Sequence, residues 1–395
     1  MKENVQLAII LLFSSLCLVL EINSISISAS EAEIFFYGNG ITHLLSHIFV
    51  GILGQTDLAI RLPFIILNIF SLFLIYKIGK LFLKRKIDRV FSTVIFALLP
   101  GINSAALLVN PASLIIFLTL LFVYLYMYNY KILAYLVLIF ALFDDNSFAI
   151  LYLSLIFYSI SKKDKKLFIL SLILFGLSMY LYGFDTGGKP RGYFLDTFGV
   201  YAAIFSPFLF LYYVYALYRI LIKEKKNLVW YISFTAFVFS ILLSLRQRVH
   251  IEDFAPYATL ATPLMVKVFF NSYRVRLPEF RRWHRAIFAF IVSTLVINTL
   301  FIYVNKPLYL FLSNPRKHFA YKYHVAKELS KSLKLKNINE INIYNKRLAI
   351  RLKFYGIKNG GDKILTRNKI NNKKVDIIKV AYYGKLVAKY YIYKE

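Results

Sequence analysis

The sequence predicts a polytopic α-helical membrane protein of about eleven transmembrane helices followed by a small C-terminal α/β domain. Three observations carry this expectation. Hydrophobic residues make up 59% of 395 positions, the mean hydropathy is +0.59, and the pattern turns abruptly basic and polar near residue 306. One soluble core cannot bury that much apolar surface, so most of the chain must face lipid.

Since about 20 residues cross a hydrocarbon core, candidate spans fall at 5–22, 58–82, 90–108, 112–128, 131–143, 146–160, 167–183, 199–222, 228–245, 256–270 and 286–304. The apolar start, Met1 to Leu20, is followed by Glu21, Ile22 and Asn23 rather than by a small-residue cleavage site, so it reads as a retained helix. The fifth and sixth are separated by Asp144 and Asp145, which mark either a loop or a buried acidic pair.

Short loops set the orientation. Lys84, Arg85, Lys86 and Arg89, then Lys162, Lys163, Lys165 and Lys166, then Lys223, Lys225 and Lys226, then Arg274, Arg276, Arg281, Arg282 and Arg285 belong on the cytoplasmic side. Loops at roughly 23–57, 109–111, 184–198 and 246–255 then face outward. The N-terminus is inside, and an odd number of spans puts the tail outside a plasma (inner) membrane. Residues 1–305 read as one transmembrane domain and 306–395 as a water-facing one.

That tail holds 22 Lys+Arg against 5 Asp+Glu, a balance of +17 within a chain total of +29. Its periodicity predicts a helix near His318–Leu333, a strand at Ile341–Tyr344, a helix near Arg347–Tyr355, and a hairpin of Val375–Tyr383 with Leu386–Tyr393 turning at Gly384. Charge in so long a segment is a weak guide to its side of the membrane. The 31 tyrosines and 37 phenylalanines are read mainly as interfacial anchors and lipid-facing bulk.

Phosphate-loop, C-x-x-C and H-E-x-x-H patterns are missing, so nucleotide-driven transport, thiol redox work and zinc hydrolysis find no support. The single Cys17 lies in the first apolar run and excludes an intramolecular disulfide. No cofactor and no nucleic-acid partner are expected; membrane lipids are.

The first outward loop is the most informative stretch. It runs Ser30-Glu31-Ala32-Glu33-Ile34-Phe35-Phe36-Tyr37, continues through a short helix, and reaches Gly54-Gln55-Thr56-Asp57-Leu58-Ala59-Ile60-Arg61-Leu62-Pro63. An acidic pair, an aromatic run and then G-x-[ST]-[DE]-x-A-x-R-L-P at the second span resemble the GT-C glycosyltransferases related to protein mannosyltransferases and aminoarabinose transferases. The likeness extends to Tyr76, Leu81 and Phe82 and to the order of spans across 1–305.

The resemblance implies transfer of one sugar from a polyprenyl-phosphate donor to an anionic glycolipid, glycan or protein acceptor. It also implies that an acidic residue of this loop acts as base or charge partner for the acceptor. Glu31 matches the second acid of the family's D-E, with Glu33 close behind. An acceptor hydroxyl needs a positioned carboxylate and a departing phosphate needs cations; the bland reading is two solvated interfacial glutamates.

Arg61 stands inside the apolar start of the second span, where an arginine costs roughly 2.5–3.5 kcal/mol unless satisfied. Asp57 at i−4 and a lipid phosphate are its two expected partners. Arg246, Arg248 and His250 crowd the outer mouth of the tenth span and suit a phosphate or diphosphate, or else lipid headgroups. Lys189 and Arg191 are further candidates of the same kind.

The chain departs from the family at two places. Gly38-Asn39-Gly40-Ile41-Thr42-His43-Leu44-Leu45 stands where relatives carry H-P-P-L, and Asn110-Pro111-Ala112-Ser113 where many carry an aspartate after T-P. His43 and His47 lack a third ligand partner, so no metal is assigned. Two other functions share these features: a transporter or flippase for a lipid-linked saccharide, and a non-catalytic assembly protein. Inverted repeats and paired broken helices, which a transporter would favour, are not visible.

Overall fold

A computed structural model describes residues 2–183, 192–368 and 376–394. The described residues are mostly helical, with one small sheet among them, formed entirely by the tail. It divides into two compact units: residues 1–15, 64–106 and 111–302, and residues 16–63, 107–110 and 303–395.

The first unit is a helical assembly. Helices Phe148–Lys162 and Lys165–Tyr182 form a tight hairpin, because Lys163 takes a left-handed φ of 57° and Asp164 caps the second helix at Leu167 N. Tyr201, Phe210, Tyr213 and Phe237 interlock as stacked and edge-on rings in its core. Such geometries stabilise beyond plain area burial.

Among the described residues, four helices are long and apolar enough to cross a membrane: Glu3–Ser24, Asp57–Phe82, Lys165–Tyr182 and Pro278–Tyr303. Two bent pairs raise that to six, Lys86–Leu98 with Pro100–Leu107 at 58° and Phe194–Phe205 with Pro207–Lys223 at 103°. This is fewer than the eleven apolar runs of the sequence, and prolines explain part of the gap. Pro100 and Pro207 each open a helix and disfavour an α conformation at the preceding residue, and here one apolar run becomes two helices. Five shorter apolar helices fall below spanning length, among them Ile41–Leu53 in the first loop. The run at 256–270 is also divided, into Ala255–Thr259 and Thr262–Val275.

The second unit begins with the end of α1 (Lys2–Ser24), continues through α2 (Ala29–Tyr37) and α3 (Ile41–Leu53), and takes in the start of α4 (Asp57–Phe82). The tail adds helices Ala326–Leu335 and Lys346–Phe354 and strands β1 (Glu340–Asn342), β2 (Lys358–Thr366), β3 (Asp376–Tyr382) and β4 (Lys385–Lys394). The sheet order is β1-β2-β4-β3, with β1 parallel to β2 and the remaining pairs antiparallel. Leu329, Leu333, Ile341, Leu352, Ile378 and Tyr390 form its core.

The expected hairpin is present and turns on Tyr383 and Gly384, both at positive φ, as a tight two-residue turn with right-handed strand twist requires. The helix expected from His318 instead begins at Ala326. His318 accepts from Ala320 N (3.0 Å) and its other ring nitrogen meets Asn305 O (2.9 Å). These side-chain bonds hold 315–323 in isolated 3-10 turns. Strand β2 was not anticipated: its Gly360 and Gly361 sit at φ 145° and 87° beside a register shift against β1, and such a bulge erases the alternating pattern.

Hydrogen bonds join the tail to the first loop within this unit. Ser26 N donates to Tyr323 O (2.6 Å), and Gln55 Nε2 to Phe354 O (2.8 Å).

Candidate active site

Helix α2 positions both loop glutamates and separates them. Ser28 caps it: the Glu31 amide donates to Ser28 Oγ (3.2 Å) while Ser28 N donates back to Glu31 Oε2 (2.8 Å). This reciprocal capping box fixes the Glu31 rotamer. Glu33, two residues on, necessarily leaves the helix on another side.

Glu31 is 2% exposed and Arg61 is fully buried. Arg61 Nε donates to Oε1 and Nη2 to Oε2, both at 3.0 Å, a fork-on-fork pair. Arg61 also donates to Ser26 O (3.1 Å) and Ile25 O (3.4 Å). Val109 N completes the shell at 3.0 Å from Glu31 Oε1. Every Glu31 oxygen is therefore engaged twice, and the guanidinium is spent on protein groups. The i−4 partner expected from sequence, Asp57, stands 4.0 Å away and serves other donors: Tyr355 Oη at 2.6 Å and Lys327 Nζ at 2.8 Å.

Tyr355 also receives Ile27 N at 2.9 Å. Burial first, then the neighbouring Asp57 carboxylate, push its hydroxyl well above the ordinary tyrosine range. Arg351 Nε donates to Ile27 O (2.8 Å) and Nη2 to Ser26 Oγ (3.2 Å). Loop residues 25–31 are thus gripped by Arg61 on one side and by the tail helix Lys346–Phe354 on the other.

Glu33 is exposed and lines a cavity of 530 Å³, together with Ser28, Ser30, Lys322, Arg347, Arg351 and Arg367. Four cations thus share that wall with one carboxylate. Among the described residues none of the four cations forms an ion pair. Arg367 is held by hydroxyls instead, Tyr390 at 2.8 Å and Tyr321 at 3.2 Å. Burial lowers the Arg351 pKa below the ordinary guanidinium value. An unneutralised cation cluster in a concave site suits an anion, and arginine forks suit phosphate.

Sequence reading did not single out these tail cations, although Arg347 and Arg351 at i and i+4 necessarily share a helix face. Their place beside Glu33 depends on how the tail docks, which local pattern does not carry.

Arg246, Arg248 and His250 follow helix Leu228–Ser244 in the first unit, and all three are exposed. Nearby Asp253 has its pKa raised to about 6, first by burial and then by Asp145. Lys189 and Arg191 lie outside the described residues. His43 Nδ1 meets Ile34 O (2.9 Å) and His47 Nε2 meets Phe35 O (2.7 Å), so both rings bind carbonyls of α2. Among the described residues no group of three or more His, Cys, Asp or Glu could hold a metal.

No family model and no curated protein sequence matches this chain. Among solved structures it is similar to ArnT from Cupriavidus metallidurans bound to undecaprenyl phosphate, with a TM-score of 0.56 and 9% identity over 88% of this chain and 84% of that one. ArnT from the same organism in the apo state gives a TM-score of 0.56 and 8% identity, over 98% and 97% of the two chains. At such identities the likeness is one of fold. The chain shares the fold of ArnT.

Proposed function

We propose that this protein is a GT-C-type membrane glycosyltransferase that moves one sugar from a polyprenyl-phosphate donor to a lipid, glycan or protein acceptor at the outer face of the plasma membrane. The observation that carries this reading is the exposed carboxylate of Glu33 in a cavity walled by Lys322, Arg347, Arg351 and Arg367, in a chain with the fold of ArnT. The relative's bound undecaprenyl phosphate supports a donor of the same lipid class here.

In the proposed reaction Glu33 takes the proton of the acceptor hydroxyl while its oxygen attacks the anomeric carbon. The bond from that carbon to the phosphate oxygen breaks, and polyprenyl phosphate leaves with the electron pair. Glu31 positions rather than reacts: clasped by Arg61, Val109 N and Ser28 N, it has no free lone pair facing solvent. Arg246, Arg248 and His250 are the proposed ligands of the donor phosphate, with Lys189 and Arg191 in supporting roles. The tail cations suit an anionic acceptor.

The eleven-span topology, with residues 306–395 forming an extracytoplasmic domain, belongs to the same proposal. The bond from Ser26 N to Tyr323 O supports this reading, since ten crossings between the first loop and the tail would leave both on the same side. Alkaline-phosphatase fusions after Tyr309 and near Glu395 should be active; inactive fusions with an active cytoplasmic reporter at the same points would refute the sidedness. The function is tested by mass spectrometry of lipid extracts from wild type and a deletion strain. A species lighter by one sugar in the deletion strain is expected, and identical lipid and glycan profiles would sink the transferase reading.

A further inference from the structure

A second cavity, of 300 Å³, lies within the first unit between the start of α1 and the end of α4. Its lining is graded along both helices. Asn4 stands at the N-terminal end of α1 and Leu7, Ala8 and Leu11 follow one and two turns further along; Lys80 and Lys77 stand at the C-terminal end of α4, with Tyr76 and Phe73 a turn deeper. Because α1 and α4 cross in opposite directions under the span assignment, both polar ends fall at the same membrane boundary.

The neighbouring acid is hydrogen-bonded to other partners and meets Lys80 only through space. Glu3 is held by the Tyr76 hydroxyl and by Arg89 Nη1 at 3.2 Å. Lys77 lies over the Phe73 ring at 5.1 Å and Lys80 over Tyr76 at 5.1 Å; among the described residues neither forms an ion pair. A cleft with two cations at its wet end and aliphatic walls at its deep end matches a headgroup and an acyl chain. Lys84, Arg85 and Lys86, directly after α4, extend the positive charge beyond the cleft. Charge of this sign beside the cytoplasmic leaflet attracts anionic lipid.

We infer that the cleft between α1 and α4 is a binding site for one anionic phospholipid of the cytoplasmic leaflet, its headgroup on Lys77, Lys80 and Asn4 and a chain along Leu7, Leu11 and Phe73. The lipid fills the gap between the two helices and seats the start of α1 beside the Glu3–Arg89 pair. The site stands independently of the transferase reading.

The test is native mass spectrometry of the full-length protein released from nanodiscs made of equal parts phosphatidylglycerol and phosphatidylcholine. The parent should retain one phosphatidylglycerol in preference to phosphatidylcholine. Lys77→Gln with Lys80→Gln should lower that retention about tenfold or more, each cation near an anionic surface contributing to binding. Lys165→Gln with Lys166→Gln removes the same charge at exposed positions elsewhere and should leave retention unchanged. Lys77→Arg with Lys80→Arg should retain the lipid, which separates lost charge from lost folding. Equal retention of both lipids by the parent, or equal loss in both glutamine pairs, would overturn the site.

Discussion

Arg61 and Glu31 form a buried two-pronged ion pair, Nε to Oε1 and Nη2 to Oε2 at 3.0 Å each, that ties the first turn of α2 to the second turn of α4. Removing one partner of such a pair strands a buried charge, typically at 3–5 kcal/mol. Glu31→Gln should therefore lower the melting temperature sharply in detergent. Glu31→Leu combined with Arg61→Met removes both charges and should recover most of the loss. A Glu31→Gln protein that melts like the parent while losing transfer would instead return Glu31 to the role of base, the role the family resemblance implies.

Glu33 offers the converse case. It is exposed and forms no ion pair among the described residues, so Glu33→Gln should leave the melting temperature unchanged. Transfer should fall by about 10²–10⁴, the usual contribution of a positioned acid or base. Near-parental turnover in purified Glu33→Gln protein would remove the carboxylate from the mechanism.

His324 supplies a pH dependence. It is buried against Tyr309 and His318, and burial first, then His318, Lys306 and Arg351, depress its pKa from 6.5 to about 3. Its folded form is neutral, so the unfolded chain binds the extra proton. Its contribution is complete above pH 6.5 and is lost as pH falls toward 3, with a slope approaching about 1.4 kcal/mol per pH unit. Thermal melts between pH 7 and pH 4.5 should show the parent losing more stability than His324→Gln; parallel curves would disprove the assignment.

Arg246 and Arg248 are exposed at a charged loop of the first unit. Arg246→Gln with Arg248→Gln should weaken binding of a polyprenyl-phosphate sugar by tenfold or more, since hydrogen bonds to charged groups contribute about 1.5–3 kcal/mol each. Membrane insertion should be unaffected. Unchanged affinity in a direct binding measurement would reduce the pair to headgroup anchors.

Much of the architecture was legible because it rests on local chemistry. Hydropathy alone demands a membrane protein, the Gly54–Pro63 motif resembles the right fold, and the tail helix near Arg347 and the hairpin at Gly384 follow from periodicity and turn residues. Span lengths were less legible: a proline bends a helix without interrupting its apolar composition, so Pro100 and Pro207 are silent in a hydropathy profile.

The sequence by itself determined that Arg61, inside an apolar run, must be satisfied. Only the tertiary structure decided that Glu31, thirty residues upstream, is its hydrogen-bonded partner, with the expected Asp57 contributing a longer ion pair at 4.0 Å. It likewise decided that Glu33 faces Arg347, Arg351 and Arg367 from the far end of the chain. The reason is physical: the capping box aims Glu31 inward and the helical repeat turns Glu33 outward, but which groups wait on either side depends on long-range packing that no local pattern encodes.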